Sequence, residues 1–158
     1  MNNSVLQTLP QAQRTQGQYA MLARLDGKSA WNFLVMPTEI NWERAASYSA
    51  SGAANAVTPY QQFNAVEGWT VSMSFPLSGY WQEKSLTSYV DAIASLQKPD
   101  TGKLAPPILA FRWGQRSFSP CILTRFSKQE SLWFSSGDLA ECKVSIALVE
   151  VPENQIIS

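Results

Sequence analysis

Between Trp69 and Phe75 the chain alternates strictly: Trp69, Val71, Met73 and Phe75 are apolar, while Thr70, Ser72 and Ser74 carry hydroxyls. A period of two fits a strand with one buried face and excludes a helix, whose buried positions recur every three to four residues. The same logic extends over most of the sequence. Residues 18–24 read as a strand, and Asp26-Gly27 signals a two-residue hairpin turn. Trp31, Phe33 and Val35 then share one face of a strand that Pro37 ends, with Leu34 and Met36 on the other face. A second hairpin joins residues 108–113, stopped by Gly114, to a return strand over 118–127. A short strand follows at 132–134. A long last strand over 139–151 carries Cys142, Val144, Ile146 and Leu148 on one face.

One segment changes period. Leu86, Tyr89 or Val90, Ile93, and Leu96 or Gln97 form a single stripe, so the spacing predicts a helix over about residues 85–97, with Ser85 as N-cap and Pro99 just past its end. A second, shorter helix is expected over 41–48, from the spacing of Trp42, Ala45, Ala46 and Ala50. The predicted fold class is therefore mainly β, an antiparallel β-sandwich or barrel with one packed helix. At 158 residues the chain forms one domain, since a chain near 150 residues buries roughly 70% of its unfolded surface. The expected divisions are a flexible N-terminal arm over 1–17, a single β domain over 18–151 and a C-terminal tail over 152–158.

Charge is scarce and unevenly placed. Only 15% of the residues are charged, against about 25% in ordinary soluble chains. Residues 45–82 hold a single charged side chain, Glu67. Charge-poor surface loses little when neighbours cover it. The first part of that stretch, 45–66, is rich in Ala, Ser, Gly and Asn. Its expected form is an extended loop or hairpin that lies on an adjacent subunit and gains order on assembly.

Several chemistries are excluded by what the chain lacks. With no His there is no Ser-His-Asp or Cys-His relay and no imidazole ligand, and two Cys cannot furnish a thiolate zinc site. Gly102-Lys103 lacks the upstream Gly and the following hydroxyl of a phosphate loop. Glu39 and Glu43 share a face if their segment is helical, which is the one arrangement reminiscent of a carboxylate pair; a solvated helix face is the favoured explanation. No enzyme activity, cofactor or metal is expected. Lys and Arg number 12 against 12 Asp and Glu, so the basic footprint of a nucleic-acid binder is missing. Cys121 and Cys142 could meet on neighbouring strands, but buried free thiols are the expected state. The start of the chain lacks the basic and apolar regions of a secretory signal, and no apolar run approaches the eighteen residues of a membrane span; a cytosolic product is expected.

Aromatic residues then divide in two. Trp69, Phe75, Phe111 and Phe118 fall on alternating strand faces and read as core. Tyr60, Phe63, Tyr80 and Trp81 stand in turns or charge-poor segments, where aromatics serve as anchors in a partner's pocket. With Tyr48 and Gln62 they make up the expected subunit interface. Tyr60, Tyr80 and Trp81 also support an alternative, a carbohydrate- or ligand-binding β-sandwich module. Arg112, Arg116 and Arg125 cluster across one hairpin and could bind a carboxylate or phosphate, but they read as a solvated or salt-bridged face.

The run Pro106-Pro107-Ile108-Leu109-Ala110-Phe111-Arg112-Trp113-Gly114, then Phe118, Phe134 and Gly137, then residues 144–150, resembles tube-type baseplate proteins of contractile phage tails and contractile injection systems. Residues 33–40, Tyr48, Gln62-Phe63 and the helix fall in the matching order, so the resemblance covers about 18–151. It differs at Met36, Leu139, Glu141 and Cys142, and it lacks the C-terminal LysM module of many such proteins. The resemblance implies a tail-tube-type β fold and a structural role as tube initiator or hub adaptor. The implied partners are further copies of the chain in a hexameric ring, the hub-spike, the tail tube and the baseplate wedge, with neither membrane nor sequence-specific nucleic acid contact. The implied location is a virion baseplate or an injection particle, made in the host cytoplasm. No catalytic residue comes with it.

Overall fold

The computed structural model describes residues 20–34, 37, 39–51, 60–80 and 83–152, with backbone alone at Ser51 and Tyr60. The expected N-terminal arm, nearly all of the C-terminal tail, Val35, Met36 and Trp81 lie outside the described residues. Among these residues nine strands and one helix follow in order: β1 (Ala20–Arg24), β2 (Ala30–Asn32), β3 (Glu39–Glu43), β4 (Ala46–Ser51), β5 (Tyr60–Val66), β6 (Thr70–Ser78), α1 (Thr87–Ser95), β7 (Leu109–Trp113), β8 (Arg116–Trp133) and β9 (Leu139–Glu150). Seven strands form one antiparallel sheet in the order β2-β1-β7-β8-β9-β6-β3, and β4 and β5 form a separate two-stranded sheet.

The large sheet curls on itself. Trp31 of β2 and Phe33 just after it reach Phe75 of β6 at 5.9 and 5.1 Å between ring centres, although four strands separate β2 from β6. At the opposite edge, Trp42 of β3 lies 5.9 Å from Trp113 of β7 and 5.3 Å from Phe118 of β8. The inward faces of Leu22, Val71, Met73, Phe75, Leu77, Phe111, Cys142, Val144, Ile146 and Leu148 enclose the core. Phe75 and Phe111 are essentially inaccessible, and burying such a side chain contributes about 1.5–3 kcal/mol. The edges β2 and β3 do not pair with each other. The sheet is thus sandwich-like, two facing halves of one curled sheet, and the closed barrel of the two sequence alternatives does not form among the described residues.

Helix α1 covers the opening. Leu86, Val90, Ile93 and Leu96 are buried against the sheet, as the stripe requires. Tyr89 binds the β2 side: its hydroxyl donates to the Asn32 carbonyl at 2.6 Å and accepts from the Leu34 N–H at 2.9 Å, while Trp31 Nε1 donates to the Tyr89 carbonyl at 3.3 Å. On the other side Leu86 N donates to the Leu139 carbonyl at 2.8 Å, and Leu139 N donates to Thr87 Oγ1 at 3.1 Å. The helix is shorter than the stripe suggests, Thr87–Ser95. Ser85 stands just before the cap position, which Leu86 occupies, but its Oγ still accepts from Thr87 N at 3.2 Å.

Three local expectations are corrected. The helix expected over 41–48 is absent: Ile40 and Trp42 alternate with Glu39, Asn41 and Glu43 in β3, which pairs with β6, and β4 follows. The three alanines at helical spacing are exposed, so they supply no apolar face to bury. The turn at Asp26-Gly27 spans five residues between β1 and β2, with Gly27 at φ 76° and its N–H donating to the Arg24 carbonyl at 3.1 Å. Finally, the strands expected at 118–127 and 132–134 are one 18-residue strand, β8, carried through its polar middle by pairing with β9.

Cys121 and Cys142 are both free and buried. Cys121 stands opposite Glu150 and Cys142 opposite Glu130 on the β8–β9 ladder. Those positions are about 27 Å apart at the rise of an antiparallel strand, too far for a disulfide. Burial pushes the Cys121 thiol up to about 12 and raises that of Cys142 as well.

Candidate assembly site

The β4–β5 hairpin is unlike the rest of the molecule. From 46 to 66 Ser47 is half-buried and every other described side chain is exposed. No charged residue occurs from 45 to 66. Tyr48 and Phe63 stand opposite each other, 55% and 56% exposed, with their rings edge to face at 5.6 Å. Val66 is 50% exposed at the end of β5. A two-stranded hairpin with no face against a core is marginal in water, and an apolar, charge-free surface of this kind is what subunit contacts use.

Of the predicted interface residues, the structure therefore gathers Tyr48, Gln62 and Phe63 on one element. Gln62 faces Ser49 across the hairpin, and the backbone of Tyr60 pairs with Ser51. Tyr80 is elsewhere. It follows the far end of β6, some nine residues or roughly 30 Å of strand from the hairpin, and stacks on Phe134 with centres 6.4 Å apart.

The residues quoted for the family resemblance have structural work. Phe111 and Phe118 are buried opposite each other on β7 and β8. Gly114 turns that hairpin at φ 59°, and Gly137 turns the next at φ 90°, donating its N–H to the Phe134 carbonyl at 2.9 Å. Pro106 and Pro107 are half-buried ahead of β7.

Three other places could hold a ligand. A groove of about 490 Å³ runs between the end of α1 and the β1–β2 turn, lined by Arg24, Trp31, Leu96 and Asp100 among others. Its converging polar groups are occupied by one another, since Arg24 donates to Asp26 at 2.7 Å and to Asp100 at 3.1 Å. Glu39 and Glu43 are exposed on one face of β3, but strand geometry sets them about 13 Å apart, beyond the separation of either glycosidase pair. Of the three arginines, Arg116 lies 4.5 Å over the Trp113 ring, whereas Arg112 and Arg125 are exposed on separate strands opposite Ser117 and Ala147. Among the described residues none of the three forms an ion pair.

Two features of the site were missed by sequence reasoning. A stack of Trp42, Trp69, Trp113, Arg44 and Arg116 gathers where the hairpin joins the body; the short spacings Trp42 to Arg44 and Trp113 to Arg116 were its only trace. The second is an open edge. β7 pairs with β8 only as far as Cys121, and among the described residues no strand covers that side of β8 from Ile122 to Trp133.

The family model of the contractile injection system tube protein matches residues 16–155. Among solved structures, a chain of the anti-feeding prophage (AFP) baseplate, 6-fold symmetrised, is 10% identical, with a TM-score of 0.43 over 89% of this chain and 91% of that one. A chain of the sheath–tube complex of an extracellular contractile injection system (PVC) in the extended state is 8% identical, with a TM-score of 0.36 over 94% and 93%. No curated protein sequence matches. The family match spans the curled sheet, the helix and the exposed hairpin alike: this chain belongs to the contractile injection system tube protein family.

Proposed function

We propose that the chain is a structural, non-catalytic subunit that assembles with copies of itself into a ring, connecting the hub-spike of an injection particle to its tube. The observation that carries this reading is the β4–β5 hairpin, exposed, uncharged and bearing Tyr48, Phe63 and Val66 with no core to cover them. It has the make-up of an element that gains its apolar contacts from a neighbouring subunit or layer.

The open edges support the lateral contact. β8, β9, β6 and β3 form a run of four strands, bounded by the uncovered stretch of β8 on one side and by β3 on the other. Three antiparallel steps separate β8 from β3, so the two edge strands run in opposite directions. The β8 edge of one copy can then pair antiparallel with β3 of the next, and repeating that head-to-tail joint closes a ring. Uncovered β8 measures about 40 Å, longer than β3, which leaves room for register to be set by the β8 bulges.

Light scattering after size exclusion, with electron microscopy of the particles, tests the proposal on the chain alone and mixed with the hub-spike and tube proteins. Rings, or incorporation between hub and tube, are expected. A persistent monomer that joins neither partner overturns it, and saturable sugar binding by that monomer would favour the carbohydrate-binding alternative. Deleting residues 50–64 is expected to leave the body folded and to abolish assembly.

A further inference from the structure

The chain enters the β4–β5 hairpin just after Arg44 and returns from it just before Trp69. These two side chains meet across the root, with Arg44 Cζ 4.6 Å from the Trp69 ring centre. Behind them the stack continues into the body. Trp69 sits edge-on to Trp42 at 6.0 Å, Trp42 lies 5.9 Å from Trp113, and Arg116 lies 4.5 Å over Trp113 and 5.9 Å from Trp42.

Backbone contacts lock the same place. Glu67 N donates to the Ala45 carbonyl at 2.8 Å, Trp69 N donates to Glu150 Oε2 at 3.0 Å, and Glu150 N donates to the Trp69 carbonyl at 2.9 Å. A Cβ on Gly68 would come within 2.9 Å of the Glu150 carbonyl oxygen, so the returning strand is pressed onto the end of β9. Glu43, Glu67 and Glu150 are all close in sequence or space to this root, yet among the described residues Arg44 and Arg116 form no ion pair and lie over indole faces instead. A guanidinium over a ring is directional where a surface ion pair is loose.

We infer that Arg44 and Trp69 form a clasp that fixes the direction in which the hairpin leaves the body, and that assembly depends on this positioning as well as on the hairpin's own surface. The inference rests on the hairpin being the assembly contact proposed above. Its physical basis is preorganisation. A hairpin free to swing must be ordered at every contact it makes, and that entropy cost opposes each subunit added. Arg44 and Trp69 act through the hairpin; they are positioning residues and need touch no partner.

The test uses the full chain with Arg44→Ala, Arg44→Lys and the 50–64 deletion side by side. Spin labels at Ser49→Cys on the hairpin and Ser117→Cys on the body report their separation, and buried Cys121 and Cys142 stay unlabelled. A narrow distance distribution is expected in the parent. Arg44→Ala should broaden it and raise the concentration for half-assembly about tenfold, with the urea midpoint unchanged; Arg44→Lys should restore part of both. An Arg44→Ala chain with the parent's distance distribution and assembly overturns the clasp, provided that the deletion abolishes assembly. A deletion chain that still assembles overturns the hairpin's role instead. If Arg44→Ala lowers the urea midpoint, Trp69→Phe decides by the same distance measurement: a parent-like distribution rejects the clasp and a broadened one supports it.

Discussion

Tyr89 shows how one side chain can hold two elements. Its hydroxyl serves the Asn32 carbonyl and the Leu34 N–H together, so a helix residue completes the backbone bonding of an edge strand only three residues long. Burial raises its pKa far above the ordinary tyrosine value, which keeps the hydroxyl protonated and able to donate. Tyr89→Phe keeps the ring against Trp31 and leaves both backbone groups without their partner. A loss of about 1–3 kcal/mol in urea unfolding is expected. Arg24 plays a similar part for the β1–β2 turn and the loop after α1. Its hydrogen bonds hold Asp100 and Asp26 below the usual carboxylate range, with the Lys28 N–H adding to the effect at Asp26. The folded chain therefore takes up these protons less readily than the unfolded one. Their contribution to stability is complete above the ordinary carboxylate pKa of roughly 4 and fades as pH falls through the lowered native values. Arg24→Met should accordingly differ from the parent in urea midpoint at pH 7, with the difference shrinking toward pH 2. The Asp26 and Asp100 side chains are 41% and 36% exposed, so solvent screens both pairs and a modest difference is expected.

Single elements show where sequence periodicity carries information and where it stops. β6 and β9 were legible because Val71, Met73, Phe75 and Leu77, like Cys142, Val144, Ile146 and Leu148, put one face in the core. The same rule fails wherever an element has no core to face. Lys128, Gln129 and Glu130 looked like a break between two strands, yet they pair with Val144, Lys143 and Cys142. They are tolerated because that stretch of β8 is an open edge, where charges are common. Residues 41–48 misled for the opposite reason, since Ala45 just before β4 and Ala46 and Ala50 within it are all exposed and mimic a helical stripe by accident. The hairpin's charge deficit was legible, but its anchoring by Arg44 and Trp69 joins residues 25 positions apart and has no local signature. A hairpin without a buried face opens readily. Backbone amides of β4 and β5 in the free chain should exchange with deuterium faster than those of β6 and β9, and should gain protection in the assembled particle; equal protection in the free chain would assign the hairpin to the body.

Across the whole molecule the balance of charges, 12 of each sign, matters less than their distribution. If assembly proceeds through the uncharged hairpin and the backbone of two strand edges, screening has little to weaken. The concentration for half-assembly should change by less than about threefold between low and high salt. A strong salt dependence in ring formation would point to ion pairs among the charged side chains that these edges carry, Glu39 and Glu43 on β3 and Arg125, Lys128 and Glu130 on β8. In the open edge of β8 and the root of the hairpin there is also a matter of direction. The hairpin leaves where Glu43, Thr70 and Glu150 lie, at one end of the curled sheet, while Trp133, Ser78 and Leu139 mark the other. A ring closed head to tail repeats that arrangement by rotation alone, so every copy projects its hairpin from the same rim. If the chain closes the ring proposed above, that ring is polar: one rim offers hairpins and the other presents none. Its two faces would then be chemically distinct, so that such a ring could meet one kind of neighbour through its hairpins and a different kind through its bare rim.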